Sequence, residues 1–146
     1  MNRTWILMMF VAMAVALLGA QSRAVTHIDS DKVAAALGGG RGGGSLVATK
    51  DFTVSGNHRN VPGQVEVHDH ETDIFYVTDG EATLVTGGTM IGGKETAAGQ
   101  HRGTDIQGGQ TQRLKKGDVV TIPAGVPHWF KDVSPSVSYL TVKVIR

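Results

Sequence analysis

The chain has 146 residues, enough for one domain with a single core. Lys+Arg 14 against Asp+Glu 13 leaves a net charge of +1, which gives no electrostatic case for a nucleic-acid partner. The lack of cysteine excludes disulfides, thiolate metal sites and a cysteine nucleophile.

Residues 1–24 read as a secretory signal. Arg3 supplies the positive start, and Trp5 to Leu18 is an uncharged apolar run. That run is shorter than the ~20 residues a membrane span needs. Ser22-Arg23-Ala24 places small residues where a signal peptidase requires them, for cleavage before Val25; Leu18-Gly19-Ala20 is a second candidate. Cleavage after Ala24 removes Arg3 and Arg23 and moves the net charge from +1 to about −1. An uncleaved N-terminal anchor is the competing reading. Either way the folded part is expected outside the cytoplasm, periplasmic or secreted, and after cleavage it has no stable membrane insertion.

Residues 25–44 are expected to form one short helix and a glycine-rich loop. Ile28 to Leu37 is the helical window, capped by Asp29 or Ser30, with Val33, Ala34 and Leu37 as its apolar stripe. The run Gly38 to Gly44 ends it. No Gly-Lys-Ser/Thr and no helix follow, so a phosphate-binding loop is rejected.

Residues 45–146 read as β throughout. Leu46-Val47-Ala48 and Phe52-Thr53-Val54 are predicted strands, with a turn at Gly56-Asn57 and another at Val61-Pro62-Gly63. Gln64 to His70 alternates, with Val65 and Val67 on one face and Glu66, His68 and His70 on the other. Asp73 to Val77 is a strand, Asp79-Gly80 a predicted hairpin turn, and Glu81 to Thr86 the returning strand. Thr89 to Gln110 is polar and glycine-rich, a long excursion at the rim. Ser138 to Ile145 is the closing strand. Many short strands, glycine turns and one helix argue for an all-β barrel or sandwich.

The most informative stretch is Gly117 to Asp132, reading GDVVTIPAGVPHWFKD. Val119 to Ile122 favours a strand, and Pro123, Gly125 and Pro127 turn it before His128-Trp129-Phe130 begins the next. Rigid turns on both sides of His128 fix where its imidazole points, as a metal site requires. By parity Phe130, Phe75 and Val77 face inward and Trp129 outward; ordinary core packing explains the first three as simply as a pocket wall does.

Gly117-x5-Pro123-x-Gly125-x2-His128-x3-Asp132 resembles the second motif of the cupin superfamily, with Asp132 where the family has Asn. Glu-Val-His-x4-Asp-Ile-Phe-Tyr-Val, from Glu66, is similar to a group of small single-domain bacterial cupins. The resemblance implies a double-stranded β-helix, or jelly-roll, barrel over residues 45–146. It also implies inward ligands from a first motif of His-x-His and a carboxylate, and a last histidine, His128, from the second. Two registers fit the first motif. His68-x-His70 leaves only two residues before Asp73, where the family has three or four. Glu66-x-His68 leaves four and puts Glu66 in the first histidine's place; it is preferred because strand and turn lengths constrain geometry more firmly than one ligand swap.

The implied ligands are therefore His68, His128, Asp73 and Glu66, with His70 a substitute ligand, a hydrogen-bonding neighbour or a plain polar residue near the mouth. Such a mixed N/O set suits Fe(II), Mn(II), Zn(II), Ni(II) or Cu(II) without choosing among them. His27, His58 and His101 are assigned no role, and Arg102 is either a contact for an anionic ligand or solvated. Two functions follow: a metalloenzyme on a small organic molecule, of oxygenase or isomerase type, with His70 or Glu71 as proton acceptor; or a non-catalytic module binding a small ligand or metal. A structural metal in a homodimer is a third.

Overall fold

In the computed structural model, residues 25–39 and 43–146 are described; residues 1–24, read above as a secretory signal, lie outside them. One helix precedes eleven strands: α1 (Ser30–Gly38), β1 (Gly44–Ala48), β2 (Phe52–Arg59), β3 (Val65–His68), β4 (Glu71–Thr86), β5 (Thr89–Ile91), β6 (Lys94–Ala97), β7 (Gln100–Gly103), β8 (Asp105–Gln107), β9 (Gln110–Lys115), β10 (Val119–Ile122) and β11 (His128–Ile145). Among the described residues this is an all-β jelly roll with one short helix.

The spine is the antiparallel pair of β4 and β11, in register from His128↔Thr86 to Ile145↔Glu71. The first half of β4 pairs with β10, and the second half of β11 with β2, which carries β1. The second half of β4 pairs with β9, while the first residue of β11 leads to β3, β7 and β6. Both long strands shift register midway, so the sheet bends there and its two halves face each other across the interior.

Gly80 makes that bend. Its φ is +74°, and a Cβ on it would stand 2.0 Å from the Ser136 carbonyl oxygen. The chain does not reverse at Asp79-Gly80, contrary to the sequence expectation; a bulge and a hairpin both call for a positive-φ glycine. Gly56-Asn57 is likewise no turn but the middle of β2. There the glycine makes room for α1: an added Cβ would meet Ala36 at 2.8 Å.

Asp29 caps α1, its Oδ1 accepting from the Lys32 amide at 2.9 Å. The helix buries Ala36 rather than Ala34, because Ala36 is the small residue over Gly44 and Gly56. The expected excursion is a pair of short two-stranded ribbons, β5 with β8 and β6 with β7, and β7 joins the main sheet. The apolar core gathers Phe75, Val77, Ala82, Leu84, Leu114, Ile122, Phe130, Val133, Val137 and Tyr139.

Candidate metal centre

Beside that core the interior turns polar. Glu66 and His68 come from β3, Asp73 from β4 and His128 from the start of β11. His68, His128 and Asp73 are 3%, 3% and 2% exposed. The turn before His128 is tied down: the Gly125 amide donates to the His68 carbonyl oxygen at 2.8 Å, joining the supports of the two histidines. His128 also stands opposite Glu66 across the β3–β11 pairing.

Each imidazole has one nitrogen fixed and one free. His68 Nδ1–H donates to Gln100 Oε1 at 2.5 Å, and His128 Nδ1–H donates to the Val126 carbonyl oxygen at 3.1 Å. Both Nε2 atoms are buried without a hydrogen-bond partner. They converge on the same two carboxylate oxygens. His68 Nε2 lies 3.5 Å from Glu66 Oε2 and 3.5 Å from Asp73 Oδ2; His128 Nε2 lies 3.8 Å and 3.4 Å from them. Bonds of ~2.1 Å to a shared ion put adjacent donors about 3.0 Å apart at right angles and about 3.4 Å apart in a tetrahedron. Glu66, His68 and His128 bring donor atoms close enough together that they could hold one divalent ion, Asp73 Oδ2 stands 3.5 Å and 3.4 Å from the two Nε2 atoms, and the Nδ1 bonds set the tautomers that leave Nε2 lone pairs inward.

Cross-strand partners support these four. Arg102 on β7 faces Glu66, with Nη2 3.6 Å from its Oε1. Gln100 on β7 faces His68. Lys143 on β11 faces Asp73, and its Nζ donates to Asp73 Oδ1 at 2.8 Å and to Glu71 Oε2 at 2.9 Å. Directly opposed residues in an antiparallel pair have their side chains side by side, which is why each support reaches its partner.

The charges are strongly coupled. Burial pushes the Asp73 carboxyl up, but His128, His68 and Lys143 outweigh it and hold it far below the usual carboxylate range. Glu66 behaves alike: burial opposes, while His128, His68 and Arg102 win. Burial pushes the His68 imidazole down, yet Asp73 and Glu66 reverse this and raise it to about 9. For His128 too, burial lowers and the same two carboxylates prevail, so its pKa is raised. Without a cation, protons on the histidines balance the carboxylates.

The structure brings Glu66, not His70, to this cluster. His70 is exposed, since β3 ends at His68 and the alternation that put the two on one face stops there. Glu71 approaches His68 from the far side, 3.7 Å from Nδ1, and is engaged by Lys143. Arg102 is half-buried and pairs with Glu66. Sequence reasoning missed Gln100 and Lys143 altogether; only knowledge of the strand pairing would have found them.

A cavity of about 170 Å³ opens beside the cluster, lined by Glu66, Asp73 and His128 and by residues of β2 and β11. Phe75 and Phe130, 5.6 Å apart, form its apolar side, as their parity predicts. Val77 lies in the closed core instead. Trp129 packs away from it, its Nε1 donating to the Gly63 carbonyl oxygen at 2.9 Å.

The family model for cupins matches residues 45–144. The chain belongs to the cupin family. Solved structures carry the same fold at low identity. The cupin domain of Cnp3 from Schizosaccharomyces pombe is 16% identical over 70% of this cupin and 59% of that chain, with a TM-score of 0.52. KdgF from a Halomonas species is 17% identical over 70% and 78%, with a TM-score of 0.51. Peruvianin-I, a cysteine peptidase from Thevetia peruviana latex, is 15% identical over 65%, with a TM-score of 0.45, and this cupin spans only 51% of its length. No curated protein matches the sequence. Among the described residues no helix is long and apolar enough to cross a membrane.

Proposed function

We propose that this cupin holds one divalent metal ion between His68, His128, Asp73 and Glu66 and acts there on a small organic molecule, by oxygenase- or isomerase-type chemistry. The observation that carries the reading is the pair of buried Nε2 atoms, both without partners and both aimed at the same two carboxylate oxygens. A buried nitrogen left unpaired costs about 1–3 kcal/mol, and two of them facing carboxylates are what a cation would satisfy. The bound ion would supply Lewis acidity or a redox centre. The chain's own residues do the rest. Gln100 and Val126 orient the imidazoles, Arg102 and Lys143 hold the carboxylates in place, and Phe75 and Phe130 keep one wall dry. Glu71, 3.7 Å from His68 Nδ1 and held by Lys143, is the carboxylate outside the ligand set that would exchange a proton. The reading places the protein in the periplasm or outside the cell, on the strength of residues 1–24, and allows a homodimer.

The alternative is a non-catalytic module. It gains support from Lys143 and Arg102, which already offset two of the cluster's acidic charges. Metal analysis of the purified protein tests the first reading. We expect about one divalent ion per chain, lost to background in His68→Ala and His128→Ala. Absence of stoichiometric metal after reconstitution, with ligand binding intact in both variants, overturns it. Oxygen consumption with a small phenol or diketone by the metal-loaded protein would exclude the simple binder.

A further inference from the structure

The cavity holds a cation that the metal reading does not use. Arg59 closes β2 and faces inward, and its Nε donates to Tyr139 Oη at 2.8 Å. Its guanidinium lies over the Phe130 ring, 5.1 Å from the centroid. These two contacts fix the plane of the group and, among the described residues, leave both Nη atoms without an acceptor. Apart from His128, which faces the carboxylates, the other charged side chains lining the cavity are Glu66, Asp73 and Lys143. Each of those has a partner: Arg102 for Glu66, and Lys143 and Asp73 for one another. Among the described residues, Arg59 has no carboxylate within ion-pair distance. It also lines the neighbouring opening with Pro62, Gly63 and Gln64, so it stands where a solute enters.

We propose that Arg59 is a carboxylate clamp, and that the cavity takes a small organic acid with its carboxylate on the Arg59 fork and its remainder between Phe75, Phe130 and the His–carboxylate cluster. This deepens the reading above and rests on it only for what happens at the far end of the ligand. A planar guanidinium with two parallel N–H groups matches a carboxylate in bidentate fashion. The volume of about 170 Å³ lies below the ~300–1,000 Å³ of drug-sized sites, which limits the acid to a few carbons or one ring. Asn57 and Thr141, joined by a hydrogen bond of 2.9 Å on the same wall, offer polar contacts to a hydroxyl or keto oxygen beside the carboxylate.

The test is calorimetric titration of the full chain, Zn(II)-loaded and chelator-treated in parallel. Pyruvate and benzoate are the probes, pyruvamide and benzamide their uncharged matches, and inorganic phosphate the non-carboxylate anion. At least one acid is expected to bind tenfold or more tightly than its amide and than phosphate. Arg59→Gln should erase that preference with zinc stoichiometry unchanged, and Arg59→Lys should keep part of it. If Arg59→Gln does not fold, Arg59→Lys against Tyr139→Phe reads the same quantity, since both keep the charge and loosen the fork. The clamp is overturned if acids bind no better than amides, if Arg59→Gln keeps the preference, or if phosphate binds best. The metal reading fails separately: a preference for acids that persists without zinc uptake and vanishes in Arg59→Gln leaves the clamp standing alone.

Discussion

The two halves of β4 each alternate, with the inward parity switching from odd to even across the bend at Gly80, and they build opposite interiors. Before Gly80 the inward side chains are Asp73, Phe75 and Val77; after it they are Ala82 and Leu84. The partner strand β11 changes with them. It offers Tyr139, Thr141 and Lys143 against the first half, and Phe130 and Val133 against the second. The second half is filled around the fully buried Leu84, and the first borders most of the cavity and its charges, with Phe130 shared between core and cavity wall. Strand geometry thus fixes only which positions face inward. Their chemistry decides whether the space between them becomes core or site, so the two halves are expected to respond to different perturbations.

The largest effect is expected from Leu84→Ala. Removing a fully buried leucine from the closed half should cost about 2–5 kcal/mol in denaturant unfolding. Metal affinity of the fraction that remains folded should not change, and a parallel loss of affinity would show that the halves are not independent.

Gln100→Ala attacks the open half from behind. Loss of the acceptor at His68 Nδ1 should weaken metal binding by about 10–100-fold in a metal titration, because such outer partners fix ring orientation and tautomer. A fall in melting temperature with unaltered metal affinity would mean that Gln100 is merely structural.

The subtlest contrast is in pH, on the order of 1 kcal/mol after coupling among the four groups. His68 is raised from 6.5 to about 9 in the folded chain, so its contribution is complete below pH 6.5 and is lost as pH rises through 9. Asp73 and Glu66 are depressed from 3.8 and 4.5, so theirs is complete above those values and lost as pH falls toward the lower folded ones. Metal-free protein should therefore melt highest between about pH 4.5 and 6.5. Adding a divalent ion should flatten the alkaline decline, since the ion needs neutral imidazoles and replaces their protons. Melting curves across pH with and without chelator check this. An alkaline decline that metal leaves untouched would sink the coupling between site and stability.

The site was legible where the chain signals locally. His128 announced itself through the turn residues before it, and Glu66 displaced His70 because four residues, not two, are needed between the β3 ligand and Asp73. The first half of the fold's logic was legible for the same reason: alternation placed Phe75 and Phe130 inward. What failed was non-local or degenerate. Gly80 and Gly56 were read as turns because a glycine needed for a bulge, or for a helix packed against a strand, looks the same in sequence as one needed for a reversal. Gln100, Arg102 and Lys143 matter only through residues 32, 36 and 70 positions away along the chain, and nothing in their own neighbourhoods reveals it.

The pairing of β3 with β7 turns the polar stretch between Thr89 and Gln110 into a length gauge. Glu66 meets Arg102 and His68 meets Gln100 only while that stretch has its present number of residues. One residue more or less in the β6–β7 ribbon would carry both supports to the opposite face, as any one-step slip of a strand does. The four candidate ligands would still be present in the sequence, and the family motifs would still match. Inheritance of the proposed metal centre is therefore tied to the spacing of a segment that contributes no candidate ligand to it.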